Sequence, residues 1–532
     1  MYPGFHARTT PGKAAVVMAD SGETLTYGDL DVNSARLARV LRERGLRPGD
    51  HLALLTDNAP RAFEVYWAAM RSGLYITVVN NHLSAEEVAY IVDDCGARAF
   101  VTSVACTDVA AGIVDATPAV ELRLAYGGPV AGHENYEDVL DGVSAEPLED
   151  EPAGYDMLYS SGTTGRPKGI EAPLPGRPVA EVGNSFVRSL AGPYRLNADT
   201  IYLSPAPIYH ASPLRFIGAV HGVGGTVVVM RKFDAEIALR CIETYRVTHS
   251  QWVPTHFVRM LKLPAATRAG YDVSSMTIAM HSAAPCPVDV KQAMLEWWGP
   301  VLYEGYSSTE GHGATFIGPD EWLTKPGSVG RAIVGTLHIC DDDGTEVPAG
   351  VDGQVYFERK RVSFTYRNDD TKTRSVQHPQ HPTWLATGDI GHVDEDGYLY
   401  LTDRTSFMII SGGVNIYPQE TENVLTMHPA VHDVAVIGTP DPEMGQSVTA
   451  VVQPVDFDAA GPELAAELID YTRGHIAHYK APRRVDFVRT LPRTETGKLV
   501  KRQIADRYLT DQTAAPAAAA TPVTTLPGGL VR

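Results

Sequence analysis

Residues 159–169 read Tyr-Ser-Ser-Gly-Thr-Thr-Gly-Arg-Pro-Lys-Gly. Ser160, Ser161, Thr163 and Thr164 bring hydroxyl donors, and Arg166 and Lys168 bring positive charge. Gly162, Gly165 and Gly169 let the backbone approach a ligand closely and reach positive φ. Successive N–H groups in such a turn form an anion-binding concavity, and charge-assisted donors strengthen it. The chemistry expected is the cradling of a polyphosphate. The loop is not a Walker A motif, because the G-x-x-x-x-G-K-[S/T] spacing is missing.

Other chemistry-bearing residues follow in order. Tyr303-Glu-Gly-Tyr-Ser-Ser-Thr-Glu310 offers aromatic rings to stack on a base and, seven residues after Tyr303, a carboxylate. A carboxylate beside a triphosphate makes sense mainly as a Mg²⁺ ligand. Asp389, in Thr387-Gly-Asp389-Ile-Gly391, can accept hydrogen bonds from ribose hydroxyls. Arg404 follows Asp403, and Ser411-Gly-Gly-Val-Asn-Ile-Tyr-Pro418 and Pro492-Arg-Thr-Glu-Thr-Gly-Lys498 come next. Together these strings resemble the motifs of the AMP-forming adenylating superfamily, which includes acyl-CoA synthetases, adenylation domains and luciferases. The wording, Trp297-Trp-Gly-Pro300 included, is most similar to bacterial fatty-acid or bile-acid-type CoA ligases.

The resemblance implies two half-reactions. A carboxylate attacks the α-phosphate of ATP, giving an acyl-adenylate and pyrophosphate. A second nucleophile, commonly the thiol of CoA, then displaces AMP. It implies that Lys498 bridges the acid and the α-phosphate, that Glu310 and Thr164 hold Mg²⁺, and that His210 stands at the mouth of the acyl pocket. Ser160 to Gly165, Lys168, Ala283, Glu304, Gly305, Tyr306, Ser307, Thr309, Asp389 and Arg404 are the expected nucleotide contacts. Tyr209, His210, Trp252, His281 and Ser282 are the expected acyl-pocket residues. Ser411, Gly412 and Gly413 are expected to line the acceptor tunnel, and Ser406 to act as the hinge between half-reactions. Ser406 departs from the Asp or Lys usual there. Cys286 reads as a packed thiol, with no paired base evident.

Pocket segments 207–216, 252–257, 281–286 and 303–316 contain Tyr209, Phe216, Trp252, Phe257 and Phe316 and few evident cations. A mainly apolar acid, fatty or aryl, is the expected substrate. The acceptor stays open: CoA, a carrier-protein thiol, an amine, or an inorganic nucleophile such as nitrite. A luciferase-like oxygenase and a non-enzymatic nucleotide binder are further alternatives.

The 532 residues are too many for one core. Their net charge of −19 argues against nucleic acid or an anionic membrane as the main partner. Five cysteines without C-x-x-C spacing imply no disulfide framework or zinc site. With no secretory signal and no membrane-length apolar run, a cytoplasmic protein is expected.

The elements that must position these residues read as α/β. Leu30, Leu37, Val40 and Leu41 share a helical face that ends near Gly45. Leu52–Leu55 and Ala99–Thr102 read as strands, with a Ser84/Glu87 capping box between them. A second β-α region, from about 179 to 330, includes a strand over 224–230 and a helix capped by Asp234. Asp341-Asp-Asp-Gly and Asp394-Glu-Asp-Gly397 predict hairpin turns in a small β-rich subdomain over about 332–402. The expected organisation is a large N-terminal α/β domain over 1–404, a small mobile α+β domain over 405–510 and a disordered Ala/Pro/Thr-rich tail over 511–532.

Overall fold

A computed structural model describes residues 2–160, 167–404, 407–411, 414–493, 499–512, 525–526 and 530–531. The strand predicted at 52–55 runs His51–Leu55 and pairs in parallel with Tyr75–Val79 and with Ala97–Ser103. Every residue of the first two is buried, as strands covered on both faces require. Leu122–Tyr126, Glu134–Asn135 and Tyr155–Asp156 complete a six-stranded parallel sheet. Two of its helices begin at side-chain capping boxes, of which the Ser84/Glu87 box is the one predicted. Thr26 and Asp29 cap Tyr27–Glu43 reciprocally, and Ser84 and Glu87 do the same for Ala85–Asp94.

The second sheet has thirteen strands. Its parallel centre contains Thr226–Val229, Ile201–Ser204, His249–Trp252, Ile278–His281 and Leu302–Ser307. Asp234 caps the helix Ala235–Tyr245 by accepting from the N–H groups of Glu236 and Ile237. The predicted hairpin turns are present, but the β-rich region does not form a sheet of its own. Its strands extend the second sheet through Ser328–Val334, whose first half pairs with Leu399–Arg404 and whose second half pairs with Ala314–Ile317. The changeover sits at Gly330, with φ +93°. A Cβ there would lie 2.1 Å from the Phe316 carbonyl oxygen, so only glycine permits this crossing.

Residues 409–508 pack a separate antiparallel hairpin, Val431–Asp441 with Gly445–Pro454, against the helices Pro418–Thr426 and Pro462–His475. Leu425, Val436, Ala450, Leu468 and Phe487 form the core of this α+β unit. Within the predicted tail, the last helix continues to Gln512, and Leu530–Val531 pairs with Phe487–Val488. An open strand edge offers backbone donors and acceptors to any extended segment within reach.

Candidate functional site

The parallel strands Ile278–His281 and Leu302–Ser307 end side by side, and ligands of open α/β sheets bind beyond such carboxyl ends. A cavity of about 470 Å³ opens there. One wall is Ser282–Pro285, Glu304–Ser307 and Asp389; the other is Gln419, Glu422, His432–Val434, Arg493, Leu499 and Lys501. Residues more than 100 positions apart in sequence thus face each other. Lys262 donates from Nζ to the Val431 carbonyl at 2.6 Å, which ties the two walls together.

Within the first wall, Ala283 has φ +75°. A non-glycine residue in this region is costly, and such strain tends to sit where a ligand is met. Tyr306 donates to Oδ2 of Asp389 at 2.6 Å, so the predicted base-stacking ring and the predicted ribose acceptor are adjacent. Glu304 receives Nζ of Lys291 at 2.7 Å on Oε2, and Nε2 of His281 lies 3.5 Å away. Burial pushes the Glu304 carboxyl up, against the opposing charge of Lys291. Burial, and then Lys291, holds His281 well below its usual range, so its ring is neutral. Burial also raises the Cys286 thiol, and Glu304 adds to the effect; this matches a packed cysteine.

The loop expected to cradle phosphate is bracketed by the antiparallel strands Leu158–Ser160 and Lys168–Glu171, in which Lys168 pairs with Ser160. Ser161, Gly162, Thr163, Thr164 and Gly165 lie outside the described residues. Lys168 is ion-paired with Asp369, which draws its charge toward a carboxylate next to the loop. Oε1 of Glu310 accepts from the Tyr366 hydroxyl at 2.9 Å. Thr309 offers its carbonyl to Arg215, and Ser307 donates to the Gly313 carbonyl. His312, two residues after Glu310, is buried and held below its usual range by burial, while Glu310 and Asp389 pull it upward.

The expected acyl-pocket residues divide. Ser282 lines the cavity and accepts from Gln251 Nε2 at 3.3 Å. His210 precedes the helix Ala211–Val223 as its N-cap, with its ring 4.3 Å from that of Tyr209. Trp252 has its ring buried in the core against Phe257 and Trp298. His281 is likewise fully buried beneath Glu304 and is not part of the cavity wall. Side chains alternate along a strand, so it is Gln251, one residue before Trp252, that faces Ser212 and Ser282.

At the junction, Arg404 pairs through its backbone with Asp389, and Ser411 is buried at the end of the strand Ile409–Ser411. Ser406, Gly412, Gly413 and Lys498 fall outside the described residues. Arg493 and Leu499 bridge across 494–498, and both line the cavity.

Sequence reasoning missed four participants. Lys291 shares a helical face with Met294, Leu295 and Trp298, and a lysine on an apolar face was the available signal. Tyr366, in the short strand Thr365–Tyr366, and Asp369, the N-cap of the helix Asp370–Ser375, come from a segment distant in sequence, and nothing local marks them. Arg215 is a cation within segment 207–216, and its charge is offset by buried Asp156 at 2.9 Å.

The model of AMP-binding enzymes matches residues 5–367, and that of the AMP-binding enzyme C-terminal domain matches residues 420–498. The chain belongs to the AMP-binding enzyme family. It is an AMP-forming ligase of the acyl-CoA synthetase type, which acts on ATP and a carboxylic acid. It is 33% identical over 514 residues to a feruloyl-CoA synthase of an Amycolatopsis species, covering 95% of this chain and 98% of the relative. It is 30% identical over 515 residues to a long-chain-fatty-acid–CoA ligase of Mycobacterium tuberculosis, covering 94% and 97%. Among solved structures, an amide bond synthetase from Marinactinospora thermotolerans superposes with a TM-score of 0.76 at 28% identity, covering 95% of this chain and 99% of that one. Among the described residues no helix is long and apolar enough to cross a membrane.

Proposed function

We propose that this family member adenylates a mainly apolar carboxylic acid, fatty or aryl, and passes the acyl group to CoA. One observation carries the reading. Ala283, Glu304–Ser307 and Asp389 share a cavity with Arg493 and Leu499, the residues that flank the Lys498 segment. Adenine fits between the Ala283–Ala284 turn and Tyr306, with Asp389 accepting from the ribose hydroxyls. Lys498, next to Leu499, is the cation proposed to meet the acid and the α-phosphate. Two anions must approach each other in that step, so positioned positive charge is worth most there.

A single carboxylate such as Glu310 suits Mg²⁺, which is held by one or two carboxylates plus phosphate oxygens. When bound, the ion neutralises phosphate charge. The residues of this chain bind and orient the nucleotide and exclude water. Support for an apolar acid comes from Asp156, which offsets the charge of Arg215, the cation of segment 207–216. Both relatives named above as CoA ligases act, by their names, on acids with large apolar parts.

The likeness to an amide bond synthetase favours one second reading, in which an amine takes the acyl group. Mass spectrometry of reactions with ATP, Mg²⁺ and panels of fatty and aryl acids, with CoA or an amine, tests both. Acyl-CoA from one acid class is the expected result. Amide with no acyl-CoA moves the conclusion to the second reading, and no adenylate with any acid overturns both.

A further inference from the structure

Lys291 is fully buried, does not line the cavity, and places Nζ 2.7 Å from Glu304 Oε2 and 4.7 Å over the Trp322 ring. Glu304 is buried yet forms part of the cavity wall beside Ala283 and Tyr306. Among the described residues its other oxygen carries no hydrogen bond. His281 lies on the same side as Lys291, with neither ring nitrogen hydrogen-bonded. A buried ion pair is weak as a source of stability, since an apolar pair of similar volume often does as well. One that ends on a ligand cavity has a different use.

We propose that Lys291 is a positioning residue for base selection: it holds the Glu304 carboxylate in the cavity wall as a hydrogen-bond acceptor for the 6-amino group of adenine. The inference rests on the nucleotide site given under Proposed function. An ionised carboxylate only accepts hydrogen bonds. The 6-amino group of adenine donates, whereas a 6-oxo purine presents an acceptor at the same place. ATP is therefore bound through this contact, and a 6-oxo nucleoside triphosphate meets two facing acceptors. Without Lys291 the carboxyl would be buried with no counter-charge, would take up a proton, and would lose its discrimination.

The test is acid-dependent pyrophosphate release with ATP and with inosine triphosphate, reported as the ratio of kcat/KM values. The wild-type ratio is expected to favour ATP by at least about tenfold, the scale of a hydrogen bond to a charged group. Lys291→Met is expected to lower that ratio by about tenfold. A folded Lys291→Met enzyme with the wild-type ratio overturns the inference. Glu304→Gln supplies an independent reading. Lys291 would donate to the amide oxygen and turn the NH₂ group to the cavity, so the ratio should shift toward inosine triphosphate. An unchanged ratio in Glu304→Gln overturns the inference even if Lys291→Met does not fold. Wild-type enzyme that releases no pyrophosphate from either nucleotide sinks the nucleotide site itself, and this inference with it.

Discussion

Replacing Gly305 by alanine tests how tightly the floor of the nucleotide cavity is packed. A Cβ on Gly305 would stand 2.9 Å from the Tyr194 hydroxyl oxygen and 3.3 Å from Cε of Met280. The methionine end is flexible and can give way. Tyr194 cannot, because its ring is buried against Phe216, at 5.1 Å, and Phe316, at 5.3 Å. Inserting a methyl group into such packing costs about 1–3 kcal/mol. Expressed wholly at the site, that is between about fivefold and about 160-fold in kcat/KM for ATP. The Tyr194 hydroxyl has no hydrogen-bond partner among the described residues, and it is the atom that collides. Tyr194→Phe alone should therefore change kcat/KM by less than about twofold, and adding it to Gly305→Ala should restore most of the loss. Initial rates of acid-dependent pyrophosphate release across the four members of this cycle measure the coupling. Strictly additive losses would show that the hydroxyl contact does not limit the site, and the reasoning would fail.

Lys498→Ala should fold normally and lose acid-dependent pyrophosphate release by about 100-fold or more, while thiol transfer from a supplied adenylate falls far less; near-normal release removes its assigned role. Glu310→Gln keeps an oxygen for the Tyr366 hydroxyl but removes the charge, so half-maximal rate should require several-fold more Mg²⁺; an unaltered Mg²⁺ titration counts against metal binding. Asp389→Asn should reduce the preference for ATP over its 2′- and 3′-deoxy analogues by about tenfold, and equal preferences in mutant and wild type would separate Asp389 from the ribose. Burial pushes His221 down to about 3. Its neutral ring accepts from Trp67 Nε1 and contacts the Ala15 carbonyl. The unfolded chain therefore binds more protons between about pH 3 and 6.5, and this contribution to stability is lost as pH falls through that window. Urea unfolding at pH 7 and pH 5 should show a smaller acid-induced loss for His221→Gln than for wild type, and parallel losses would refute the assignment.

Local sequence was enough for the elements that carry their own signals. Thr26/Asp29, Ser84/Glu87 and Asp234 satisfy helix N–H groups within a few residues of themselves, so each helix start is written where it occurs. The buried strand His51–Leu55 is legible for a similar reason: a continuous apolar run has no face to leave in water. The motif strings also carried the family, because loops that approach phosphate or ribose need particular residue types at fixed spacing.

What the sequence left open is set by distances between remote segments. Periodicity marks Lys291 as facing inward, but only the parallel pairing of Ile278–His281 with Leu302–Ser307 puts Glu304 in front of it. Strand alternation decides that Gln251 faces Ser282 and Trp252 the core, and a one-residue change of register would reverse them. Asp369 reaches Lys168 across 201 residues, and Lys262 reaches Val431 across 169. No local propensity encodes such contacts. They arise when the sheets close and bring together charged groups that must be paired once water is excluded.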